Sequence, residues 1–211
     1  MHNWRTYTHI AIALFVIADP IGAIPLFLSL TRDQTRVEKN CTALATAGTV
    51  AGVLVLAAFF GGPLLQIFGI RIASFRVGGG ILILLMAIAM LYARPGRTTP
   101  EEAAEAAGKH DLAIVPLAVP LIAGPGAISS VILYAQQTTA WFDTVILVFT
   151  ILFVATSVWV ALRLADPISM LLGGTGINII TRLLGLLLSA IAIEFITTGL
   201  IQLMPGLAAR P

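Results

Sequence analysis

Six apolar runs of about twenty residues each dominate the sequence, at roughly 8–30, 41–61, 71–93, 113–136, 143–163 and 177–204. A helix rises about 1.5 Å per residue, so each run matches the roughly 30 Å hydrocarbon core of a bilayer. Composition agrees. The chain is 58% hydrophobic and only 10% charged, whereas a soluble domain carries about 25% charged residues. Too little polar surface is left to cover the protein in water. Continuous runs exclude the alternating ~10-residue pattern of barrel strands, and helices satisfy their own backbone in lipid. The expected fold is an all-α integral membrane protein with six transmembrane helices.

The remaining composition removes other classes. A net charge of +2 without a basic stripe points away from nucleic acid. His2, His9 and His110 lack metal-ligand spacing, and no phosphate loop, hydrolase elbow or HExxH pattern occurs, so no metal, cofactor or enzyme activity is expected. The single Cys41 excludes an internal disulfide framework. The first run has no A-x-A cleavage pattern and reads as a retained span rather than a signal peptide.

Arg32, Arg36, Lys39, Arg94, Arg97 and Lys109 fall in the loops after spans one and three, with Arg5 and Arg210 on the other side. By the positive-inside rule both termini lie outside. Residues 94–112 form a cytoplasmic loop, in which Thr99, Pro100, Glu101 and Glu102 open a short capped surface helix. A Gly-Pro turn is read at Gly61–Pro63, and "ADPISMLLGGTG" is read as the connection before span six.

The halves on either side of that loop, 1–93 and 113–211, resemble each other. Ala18-Asp19-Pro20 falls on Ala123-Gly124-Pro125 at an offset of about 105, Pro63 on Pro167, Gly69 on Gly176 and Arg76 on Arg182. An offset of three helices makes the second half enter the membrane from the opposite side. Such inverted repeats are common in secondary transporters, whose substrate sites lie at the repeat interface between broken helices.

Both repeats carry their break in the middle of the opening span. "IADPIGAIPLF" (Ile17–Phe27) holds Asp19, Pro20, Gly22 and Pro25; "PLAVPLIAGPGAIS" holds Pro120, Gly124, Pro125 and Gly126. Proline removes a backbone donor and turns the preceding residue away from helix. The first helix should end near Ala18 and restart at Pro20, after Gly22 or at Pro25. Irregular backbone at mid-membrane survives where it lines a cavity or is buried in protein. Two facing breaks would offer amides to an anion and carbonyls to a cation, which suits a zwitterion. Asp19 either caps the restarted helix or lines a polar path, as intramembrane carboxylates usually do.

Other polar residues lie inside the spans. Glu194, with Thr197 and Thr198 one turn on, is either an ion- or proton-coupling group or a structural carboxyl near the end of its span. Ser129 and Ser130, just past the second break, are read as path-lining. Arg163 and Asp166 read as a surface ion pair, Arg76 and Arg182 as interfacial anchors. The small residues of "VGGG" and "TALATAGTVAG" read as close-packing positions.

With "DPIGAIPLF", "PLAVPLIAGPGAIS" and "FRVGGGILIL" in place, the whole chain resembles the MarC family of bacterial inner-membrane proteins. That resemblance implies a carrier for glycine, alanine and similar small amino acids, driven by the proton gradient, with discontinuous helices one and four holding the substrate. It carries over to Asp19, Pro20, Gly22 and Pro25, and to Pro120, Gly124, Pro125 and Gly126. The family's first motif often has Asn where this chain has Asp19, and an amide cannot carry a proton. Two alternatives fit the same residues: an exporter of another small solute, or a non-transporting assembly or stress-response factor whose kinks serve packing.

Overall fold

The computed structural model describes residues 4–92, 122–137, 141–204 and 206, and all regular structure among them is helical. The order is α1 (Trp4–Ala18), α2 (Ile24–Leu30), α3 (Arg36–Ile67), α4 (Ile72–Leu91), α5 (Pro125–Ala135), α6 (Trp141–Arg163) and α7 (Ala165–Leu203). The loop 94–112 with its expected capped helix, Pro120 and the start of the fourth run lie outside the described residues.

Among the described residues, α3, α4, α6 and α7 are each long and apolar enough to cross a membrane. Between 17% and 44% of their most apolar windows is buried, so most of that surface faces outward. Phe59, Phe60, Phe149, Phe153, Leu183 and Leu186 are among the exposed side chains. Water would not tolerate such a surface, and lipid covers it at no cost.

Helix α3 starts at a capping box. Thr35 Oγ1 accepts the Glu38 N–H at 3.4 Å, and Glu38 Oε2 accepts the Thr35 N–H at 2.7 Å. This satisfies two donors at the helix start. The turn expected at Gly61–Pro63 is absent, because α3 runs on to Ile67. Both glycines are buried, and side chains of Ile132 and Gln136 on α5 fill the space where their Cβ atoms would stand. That contact outweighs the roughly 1 kcal/mol helix penalty of each glycine. The chain turns later instead, at Gly69 (φ 62), where the Ile70 N–H reaches back to the Leu65 carbonyl at 2.9 Å.

The expected connection before span six is also helical. Helix α7 begins at Ala165 and kinks at Gly173, where φ is 61° and ψ is 175°. Gly69 and Gly173 both have positive φ and stand 104 positions apart, as Pro63 and Pro167 do. A Cβ at Gly173 would meet nothing within 4 Å, so Gly173→Ala tests backbone strain alone. It should lower stability by about 1–2 kcal/mol, read as thermal unfolding in detergent. Gly174→Ala, equally open and without positive φ, should not.

Helix α4 packs most extensively on α7. A Cβ on Gly80 would stand 2.7 Å from Ile196 Cγ1 and 3.0 Å from the Ala192 carbonyl oxygen. Gly185 faces Met90 and the Ala87 carbonyl, and Gly199 faces Val77 and the Ala73 carbonyl. Residue numbers rise along one helix as they fall along the other, so the pair is antiparallel. "VGGG" is thus a packing motif at Gly79 and Gly80, both buried, while Gly78 is exposed. The small residues of α3 divide: Ala43, Thr46 and Ala47 are buried, but Gly48 and Gly52 face open space.

The shorter elements lie inside. Leu14, Ile17 and Ala18 of α1, Ile24 and Phe27 of α2, and Ala127 and Val131 of α5 join one apolar core with Val50, Ile83, Ile151 and Leu188 of the long helices. This places the breaks at the centre of the bundle.

Candidate functional site

Helix α1 ends at Ala18, and Asp19 turns the chain with φ 40°, the only positive φ of a non-glycine among the described residues. Asp and Asn tolerate this region better than other side chains. The Asp19 carbonyl accepts the Ala23 N–H at 3.2 Å, and its Oδ1 accepts the Gly22 N–H at 3.0 Å. Asp19 therefore caps the turn that leads into α2. A Cβ on Gly22 would displace the Asp19 carboxylate from its present place against the Gly22 N–H. Of the three restart positions left open by sequence, the helix resumes after Gly22, at Ile24, with Pro25 exposed in its first turn. Pro20 is buried in the turn itself.

The second motif is described from Ile122 onward. Ala123 is in a turn, Gly124 is extended (φ −69, ψ 176) and α5 starts directly at Pro125. Gly124 offers no side-chain cap, and the first amides of a helix have no acceptor within it. The start of α5 is thus an electropositive end beside α1, with Gly124 and Gly126 buried and Pro125 exposed. A Cβ on Gly126 would stand 3.0 Å from Met86 Sδ, 3.1 Å from Ile83 Cγ1 and 3.6 Å from Ile17 Cγ2. Ile17 belongs to the last turn of α1, so the start of α5 packs beside the end of that helix. In this conformation hydrocarbon closes the space over Gly126.

Ser130 is fully buried and donates to the Gly126 carbonyl at 2.8 Å. Ser129 is buried against α4, where a Cβ on Gly79 would come within 2.8 Å of its Cβ. Glu194 lies away from the breaks, exposed on α7, and Thr197 donates to the Ile193 and Glu194 backbone carbonyls rather than to the carboxylate. Glu194 and Arg76 lie within electrostatic reach of Tyr134, whose ring packs edge-on against Phe195. The expected Arg163–Asp166 pair does not form: Asp166 pairs with Lys39 at 3.4 Å, and Arg163 sits over the Trp159 ring.

One polar group of α1 and one of α6 escaped sequence reading. The Tyr7 hydroxyl donates to Asp143 beside a cavity of about 20 Å³ that Tyr134 and Thr150 also line. A shallower, wholly apolar pocket of about 170 Å³ lies between Phe59 and the outer face of α6. Among the described residues no group of His, Cys, Asp and Glu is placed to hold a metal ion.

Residues 4–204 match the model of the MarC family integral membrane proteins. The UPF0056 membrane protein YhcE of Escherichia coli is 40% identical over 97% of this chain and 96% of its own length. BU267 of Buchnera aphidicola is 40% identical over 95% and 94% of the two chains, and MJ1677 of Methanocaldococcus jannaschii 33% over 89% and 92%. No solved structure matches the chain significantly. Family model and relatives cover the same broken, antiparallel helices, and the chain belongs to the MarC family of integral membrane proteins.

Proposed function

We propose that this protein is a secondary transporter of small neutral amino acids of glycine or alanine size, coupled to the proton gradient. In this reading six spans form two inverted three-helix repeats in the bacterial inner membrane, with both termini outside. The observation that carries it is the contact in the core between the end of α1, just before the Asp19 turn, and the start of α5, with Gly126 against Ile17. The uncapped start of α5 suits a carboxylate, and Asp19 suits an ammonium or a coupling cation. Ser129 and Ser130 lie one turn beyond Gly126. The antiparallel α4–α7 pair and the positive φ of both Gly69 and Gly173 support the repeat. The Lys39–Asp166 pair supports an orientation with both of these residues on one side.

Under this reading the contacts of Gly126 with Ile17, Ile83 and Met86 belong to a closed state that opens for the solute. The same contacts favour the rival reading, in which the kinks only pack helices. Uptake of labelled glycine and alanine into proteoliposomes, with and without an imposed proton gradient, separates the two. Gradient-dependent uptake that a protonophore abolishes is expected. Neither uptake nor binding of either amino acid would leave the non-transporting reading.

A further inference from the structure

We propose that the hydrogen bond between Tyr7 and Asp143 is a releasable latch that holds one end of the bundle shut. It joins α1 in the first half of the chain to α6 in the second, across 136 residues of sequence. Beneath it packing is incomplete. The cavity of about 20 Å³ has room for roughly one water and is lined by Tyr7, Asp143, Tyr134 and Thr150 together with Ile10 and Leu147. A bond beside an unfilled space leads inward when it breaks; a bond over close-packed hydrocarbon would not.

Just past the opposite end of α6 a second link joins the halves, Lys39 of α3 with Asp166 of α7. From Asp143 to Arg163, α6 rises about 30 Å, the thickness of a bilayer core. Among the described residues a cross-half contact involving a carboxylate thus lies near each end of α6. Tyr7 also stands on the helix that ends at the Asp19 turn, about 18 Å further along, so a swing of its end is transmitted to the break. The latch rests on the alternating-access reading for its purpose, though not for its detection.

Its strength suits release. A phenol bound to a carboxylate is a charge-assisted bond, whose loss shifts a closed-to-open ratio roughly ten- to a hundredfold. The test uses the full chain in detergent with Cys41→Ser as background. Thr150→Cys, at a position 8% exposed inside the cavity, reports opening through its rate of reaction with a charged methanethiosulfonate. Adding Tyr7→Phe, which removes the hydroxyl and keeps the ring, should speed labelling about tenfold or more. Val50→Cys, at a fully buried position of α3, monitors general loosening and should stay slow. An unchanged or slower rate at position 150, or equal acceleration at both positions, overturns the latch. Labelling needs no solute, so a failure of amino-acid uptake leaves this result standing.

Discussion

Asp19→Ala is expected to abolish glycine and alanine uptake in proteoliposomes while the protein still folds. Two structural losses accompany it. The Gly22 N–H loses its acceptor at 3.0 Å, and alanine must hold a φ of 40°. Together these should lower stability by about 1–3 kcal/mol, a shift that thermal unfolding in detergent resolves. Asp19→Asn separates geometry from charge. The amide oxygen can still accept from Gly22, and Asn tolerates the left-handed region, so stability should stay within about 1 kcal/mol of the parent. Uptake lost in both variants assigns the role to the negative charge. Uptake retained by Asn but not by Ala assigns it to the shape of the turn. Undiminished uptake by the Ala variant would remove Asp19 from the mechanism.

The largest loss of stability is expected from Gly80→Leu. A Cβ there would come within 3.0 Å of both the Ala192 carbonyl and the Ile196 amide nitrogen of α7. Main chain cannot swing aside like a side-chain tip, so the helices must separate and give up the packing of Gly185 and Gly199 as well. A cost of about 3 kcal/mol or more follows, equivalent to roughly 6–12 °C in a chain of this size. Gly78→Leu, whose position faces open space, should produce no such loss. If both variants melt with the parent, the α4–α7 contact is not a close one.

The elements read correctly from sequence were those set by local chemistry. Asp19-Pro20 and Gly124-Pro125 announce breaks because proline and glycine remove helical options wherever they stand. Long apolar runs announce spans because no fold in water could bury them. The failures had distant causes. Gly61 and Gly62 look like a turn until Ile132 and Gln136, some seventy residues later, fill the space beside them. Asp166 was given its neighbour Arg163 because its actual partner, Lys39, is 127 residues away. Tyr7 and Asp143 went unnoticed for the same reason. Gly173 stands in the stretch read as a connection, and its backbone angle rather than its residue type marks the kink inside α7. Within the site, capping by Asp19 could be read from sequence; closure over Gly126 by Ile17, Ile83 and Met86 could not.

Irregular chain normally lies at the periphery of a protein, but here the turn after α1 and the short helices beside it join the core, with the long helices packed around them. The turn at Pro20–Ala23 can exchange its hydrogen bonds while the outward rows of phenylalanine and leucine keep their places. Local rearrangement at the centre then leaves the annulus of lipid undisturbed, so membrane thickness and acyl composition should bear little on how readily that turn changes shape.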